Sequence, residues 1–153
     1  MRSVWVTYCD DIRNEVGNKQ SFIGIYRNAL YVPDFPALLP KICIVINAQT
    51  DRANPFKSLR FRLLNFDTQI AEAVIPEDQI QTQQTAASTG LPNDALIVCG
   101  VVMVLSPLPV TEPMRLRVRV DVDGEELKGP ALIISKQEES ASSALPVTLG
   151  VTQ

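Results

Sequence analysis

The sequence predicts an all-β fold, a two-layer antiparallel β-sandwich of about eight strands. Three observations carry that expectation. Met114, Leu116, Val118, Val120 and Val122 alternate with Arg115, Arg117, Arg119 and Asp121, a period of two that sends one set inward and the other outward. Asp123-Gly124 follows at once, and this dipeptide favours a tight hairpin because a type I′ turn needs positive φ at both central residues. Other β-branched and aromatic runs are short and separated by turn residues, and no amphipathic helix of three turns stands out.

Taken in order, residues 4–8 and 21–26 read as strands joined by a polar stretch containing Gly17-Asn18. Pro33, Pro36 and Pro40 keep residues 33–40 out of any central strand, since proline gives no ladder donor, and the segment reads as a crossover between sheets. Residues 42–46 are apolar on both faces, as a central strand should be. Leu59, Phe61 and Leu63 alternate with Arg60 and Arg62; Leu64 and Phe66 then switch phase, which predicts a bulge or corner. Residues 70–75 fit a strand, although Ala71-Glu72-Ala73 would suit a helix equally. Residues 77–94, rich in Gln, Thr and Ala, suit a short helix or an extended edge. Residues 96–105 form another core strand. The return strand at 125–127 breaks at Gly129-Pro130 and resumes over 131–135. The sandwich is thus placed at residues 1–136. Residues 137–153 read as a flexible or strand-donating tail ending in alternating Val147, Leu149 and Val151.

Composition narrows function mostly by exclusion. A chain of 153 residues holds one domain. Its net charge of -3 points away from nucleic acid as the main partner. The absence of histidine removes Ser-His-Asp triads, Cys-His dyads and His metal ligands, leaving carboxylate, Lys, Tyr or Cys chemistry. Cys9, Cys43 and Cys99 are widely spaced, without a CxxC pair, and read as buried reduced thiols. In an oxidising compartment Cys9–Cys43 or Cys43–Cys99 could bridge. No signal-peptide core opens the chain, and the longest apolar run, residues 95–105, is shorter than the roughly 20 residues that span a bilayer. The expected location is the cytoplasm, or a virion if the chain is phage-derived, with no membrane partner.

The stretch from Cys9-Asp10-Asp11 through Gly17-Asn18-Lys19, the strand Phe22-Ile23-Gly24-Ile25-Tyr26, and the order Val32-Pro33, Phe35-Pro36, Leu39-Pro40-Lys41 together resemble a family of small uncharacterised bacterial and prophage proteins. The resemblance runs from about Trp5 to Val122 and consists of loop and strand patterns. Asn18 between Gly17 and Lys19 departs from the family's Gly-Lys pair. The family has no settled activity, so the resemblance implies a sandwich fold and little more.

No residue set forms a catalytic motif, and no cofactor or metal is expected. Arg115, Arg117 and Arg119 would join Arg60 and Arg62 if their strands share a sheet. The result would be either a five-arginine face for a phosphate or acidic partner, or a solvated face with cross-strand carboxylates. Asp121, Asp123, Glu125 and Glu126, with Asp10-Asp11 if they lie nearby, form either a Ca²⁺-type loop or a plain acidic turn. Phe35 is either a plug at one end of the sandwich or an anchor for a partner; Trp5 reads as core. Val147, Leu149 and Val151 would add a strand to the open edge of a neighbour. The expected function is therefore non-enzymatic: a structural or interaction module, plausibly a phage virion accessory or decoration protein, acting through a protein partner or self-assembly as a homo-oligomer or part of a larger assembly. The alternative is a ligand-binding or regulatory module using the arginine face or the acidic loop.

Overall fold

The computed structural model describes residues 1–138 and residue 150. Among them lie twelve strands and one helix: β1 (Ser3–Glu15), β2 (Lys19–Tyr26), β3 (Ala29–Val32), β4 (Ala37–Leu39), β5 (Ile42–Asp51), β6 (Leu59–Asn65), β7 (Thr68–Ile75), α1 (Glu77–Ser88), β8 (Leu96–Leu105), β9 (Leu108–Val110), β10 (Met114–Val122), β11 (Glu125–Lys128) and β12 (Leu132–Lys136). The all-β, sandwich-like fold is present, with more and shorter strands than the eight expected. One sheet has the order β2-β1-β5-β8; the other has β3-β12-β10-β6-β7, with β11 also paired to β10. Pairings are antiparallel except β12 with β3. The proline-rich crossover contributes β4, which pairs with β9 as a separate small ribbon.

The core follows from the alternation on β10. Leu116, Val118, Val120 and Val122 are fully buried and meet Phe61, Leu63 and Leu59 of β6 within the sheet, and Tyr8, Ile44 and Ile46 across it. Each such side chain contributes about 1.5–3 kcal/mol by leaving water. Tyr8 is the one large polar member, and its hydroxyl donates to the carbonyl of Pro130 at 2.7 Å. Burial pushes its pKa well above the ordinary phenol value.

The Asp123-Gly124 turn has positive φ at both residues, 49° and 87°, as a type I′ hairpin requires. Asp123 also knits three segments together. Its carboxylate accepts hydrogen bonds from the backbone N–H groups of Lys57 and Ser58 (3.1 and 2.7 Å) and from Arg2 at 2.6 Å. The expected phase switch after Leu63 is a register shift between Leu63 and Leu64 in the β6–β7 pairing.

Two expectations are corrected, and one open alternative is decided. β1 extends to Glu15, because Asp11, Arg13, Asn14 and Glu15 each find a partner on β2. Of the two alternatives for residues 77–94, the helix is present, three turns long, over residues 77–88. Ile80 is buried, and Gln84 holds both backbone groups of Phe56, accepting from its N–H at 2.7 Å and donating to its carbonyl at 3.0 Å. Trp5, read as core, is 52% exposed, because Val4, Val6 and Tyr8 take the inward phase of β1.

Two predictions follow from this packing. Val118→Asp should abolish cooperative folding, since an unpaired charge in the core costs several kcal/mol against a total stability of about 5–15 kcal/mol. Arg117→Ala, whose partner Asp67 stands in solvent, should change stability by no more than about 0.5 kcal/mol; chemical denaturation of both variants checks the pair. The second concerns pH. Burial tends to raise the pKa of Asp123, but hydrogen bonds from Ser58, Arg2 and Lys57 outweigh it and leave the carboxyl below its ordinary value. Its stabilisation is then complete above the unfolded value of about 3.9 and is lost as pH falls through the lower folded value. Melting temperature should fall more steeply below about pH 4 in the native chain than in Asp123→Asn.

Candidate interaction surfaces

The sandwich has two outer faces of opposite character. On the β10 sheet, register places Arg119 opposite Arg62, and Asp121 opposite Arg60 and Glu126. The five arginines therefore share one face, as the sequence suggested, but they do not share one environment. Arg62 forms a two-pronged pair with Asp121, both contacts at 2.8 Å, and reaches Glu126 at 2.7 Å. The hydrogen bonds it donates to Asp121 raise its pKa above the ordinary value. Arg60 binds Glu72 at 2.6 Å, and Arg117 binds Asp67 at 2.9 Å. Arg115 is exposed.

Arg119 keeps the outward phase read for it but not the exposure. It is buried, with 8% of its surface accessible, and donates to the carbonyl of Val118 at 2.9 Å. Burial, then the neighbouring Arg117, lowers its pKa, only partly offset by Glu126. The stripe as a whole carries carboxylates interleaved with guanidinium groups. This is the cross-strand pairing that keeps a charged face neutral and solvated.

The acidic groups are consumed in the same way. Asp121 and Glu126 face Arg62, and Asp123 faces Arg2, Lys57 and Ser58. Asp11 pairs with Lys41 far along β1 from the turn, and Asp10 accepts from the Tyr26 hydroxyl. The structure therefore does not bring Asp10 and Asp11 to the acidic turn. Among the described residues no three Cys, Asp or Glu side chains are grouped to hold a metal ion.

The outer face of the β2-β1-β5-β8 sheet is uncharged and largely apolar across its middle rows. Register sets out its rows across the strands: Ile25, Cys9, Cys43 and Val104; then Thr7, Val45 and Val102; then Trp5, Asn47 and Gly100. Ile25 is 59% exposed and Val104 51%, with Ile23, Val102 and Leu96 also open to solvent. Cys9, Cys43 and Val45 are buried yet lie outside the core cluster, so their cover comes from this face and, for Val45, also from Gln20 and Phe22 of β2, which line the same cleft. Cys9 stands opposite Cys43, whereas Cys99 stands opposite Ala48 on the inner face. The second disulfide the sequence left open, Cys43–Cys99, is thereby excluded by geometry. All three cysteines are free thiols. Burial, then the neighbouring Cys43, raises the pKa of Cys9, and burial alone raises that of Cys99.

Beside Trp5, the side chains of Gln20 and Phe22 on β2 and of Val45, Asn47 and Val102 border a cleft of about 290 Å³ whose floor includes Gly100. The free end of the β1–β2 hairpin thus bends over the face. The bend coincides with Gly24, whose φ of +67° and bare Cα leave room for the Asp10 carboxylate packed against it. A wider opening of about 520 Å³ lies beside α1, lined by Arg52, Lys57, Glu77 and Gln81. There Arg52 is engaged by the carbonyls of Leu91 and Pro92.

Phe35 is half-buried against the core cluster, as a plug would be. Val147, Leu149 and Val151 lie outside the described residues. The apolar face itself escaped the sequence reading. Its signal was the second apolar phase on β1 and β8, where Trp5 and Cys9, and Val102 and Val104, fall opposite to the core-facing residues.

No curated protein and no solved structure matches this chain. The pattern of a family of unknown function, DUF6941, matches residues 4–135, most of the chain and all of the sandwich except the first residue of β1 and the last residue of β12. The resemblance to an uncharacterised family is thereby supported at the level of the family, and the chain belongs to DUF6941, a family of unknown function.

Proposed function

We propose that this chain is a non-enzymatic structural module that works by protein–protein contact through the outer face of its four-stranded sheet. The observation that carries this reading is the contrast between the two faces. The β10 sheet covers itself with paired charges, while the β5 sheet leaves Trp5, Ile25, Val102 and Val104 in water. Contiguous exposed apolar surface of this kind marks interaction sites on soluble domains. The arginine face, the leading alternative site, offers an incoming anion little unspent positive charge.

The finer reading is a subunit or accessory of a larger assembly, of which a phage virion is the instance that the prophage resemblance suggests. Capsid and tail genes flanking the coding sequence would support it, and a setting among metabolic genes would count against it. For the module itself, a photo-crosslinking residue should replace Val104 on the apolar face and, separately, Arg117 on the charged face, in the cell that makes the protein. Position 104 should yield protein adducts and position 117 should not. Equal capture at both positions, or none at 104, overturns the reading.

A further inference from the structure

We infer that the occupant of the apolar face is a second copy of this chain, related by a twofold axis, with Trp5 of each copy seated in the cleft of the other. This deepens the reading above and rests on it.

The first argument is self-complementarity. A twofold interface needs a patch that fits itself, so that a residue i touching j on the partner is matched by j touching i. Trp5 is the protein's single tryptophan and projects from the same cross-strand row as Asn47 and Gly100. The cleft bordered by Phe22, Val45, Gly100 and Val102 opens beside it. A knob and a hole therefore sit side by side on one face. The cleft's 290 Å³ is below the range of about 300–1,000 Å³ typical of small-molecule sites, and its mixed lining, Phe22, Val45 and Val102 with the amide residues Gln20 and Asn47, suits an indole, which pairs a flat apolar ring with one N–H donor. Gly100 lets the cleft floor close: a Cβ there would lie 2.2 Å from Asn47 Oδ1 and 2.6 Å from the Ile46 carbonyl oxygen, so the bare glycine gives room to the Asn47 amide that lines the cleft. Exposed tryptophan is also the residue type most concentrated at interface hot spots.

The second argument is charge. The rows through Cys9–Cys43 and Thr7–Val45 contain no ionised side chain. The ion pair nearest the centre, Asp11 with Lys41, stands one row further out and is already neutral. Such a face gains nothing from an acidic or a basic partner and meets no repulsion from its own copy.

The third argument is area. The six cross-strand rows from Leu96 to Ile23 hold 17 paired strand positions, each about 4.8 by 6.8 Å, or roughly 550 Å² per copy. Two copies would bury about 1,100 Å², above the roughly 1,000 Å² that a specific interface needs and in the range of weak association.

The test uses the full chain and its single tryptophan. By light scattering at about 100 μM, above the micromolar Kd of weakly bound interfaces of this size, the protein should weigh twice its 16.9 kDa chain mass. Trp5 emission should shift to longer wavelength on dilution as the indole returns to water. Val102→Arg, at an exposed position, should keep the circular dichroism and melting of the monomer fold. It should weaken association by roughly thirtyfold or more, as a hot-spot substitution does, and hold Trp5 emission at long wavelength at every concentration. Three results would overturn the proposal: a monomer at that concentration with constant Trp5 emission; a dimer indifferent to Val102→Arg; or a dimer lost on truncation after Glu138 but kept in Val102→Arg, which would assign the contact to the tail. A monomeric chain whose position 104 still crosslinks to a different protein would end the dimer while leaving the interaction module standing. No capture at 104 would end both.

Discussion

β10 fixes the larger sheet. Its inward residues, Met114 to Val122 at every second position, are buried, and β6, β11 and β12 all take their register from it. β7 and β3 are set one step further out, through β6 and β12. A slip of one residue along β10 would turn five apolar side chains to solvent and bring four charged ones into the core. The same strand carries the Asp123-Gly124 turn, whose aspartate ties the start of β1, through Arg2, to the segment before β6. Register on one sheet is thus coupled to the attachment of the other.

This explains which parts of the fold the sequence exposed. The β10 alternation, the type I′ dipeptide and the phase switch after Leu63 are local signals, each caused by backbone geometry within a few residues, and each recurs in the structure. What stayed hidden depends on distant partners. Residues 77–88 have little apolar periodicity, because α1 buries only Ile80 and Gln84, and Gln84 docks by two hydrogen bonds to Phe56, 28 positions away. The polar half of β1 looked like a loop. It is a strand because β2 supplies cross-strand partners, among them Gln20 for Asn14 and Ser21 for Glu15.

The candidate site was legible in a similar proportion. That Arg60 with Arg62, and Arg117 with Arg119, each share a face follows from alternation within one strand; that the two pairs share the same face follows from the β10–β6 pairing. Their neutralisation follows from neither, because Glu72 comes from β7 and Glu126 from β11. The apolar face was missed for a different reason. Both phases of β1 and β8 are apolar, and a strand with two apolar phases reads as one buried on both sides. Only the sheet order shows that nothing from the second sheet covers that side, and so moves Trp5 from core to surface.

The layout of the edges favours association through a face. α1 links β7, an edge of one sheet, to β8, an edge of the other, and packs against β8. β2 and β3, the opposite edges of the two sheets, are joined by Arg27 and Asn28 alone. An exposed edge invites strand addition in proportion to its length and flatness. β3 is four residues long, and the β1–β2 hairpin bends away from the sheet plane at Gly24. What the described residues leave broad and uncharged is the middle of the outer surface of β1, β5 and β8, the rows from Trp5 to Cys9. There a partner meets side chains, so specificity depends on shape: the position of Trp5 relative to the cleft bordered by Phe22, Asn47 and Val102.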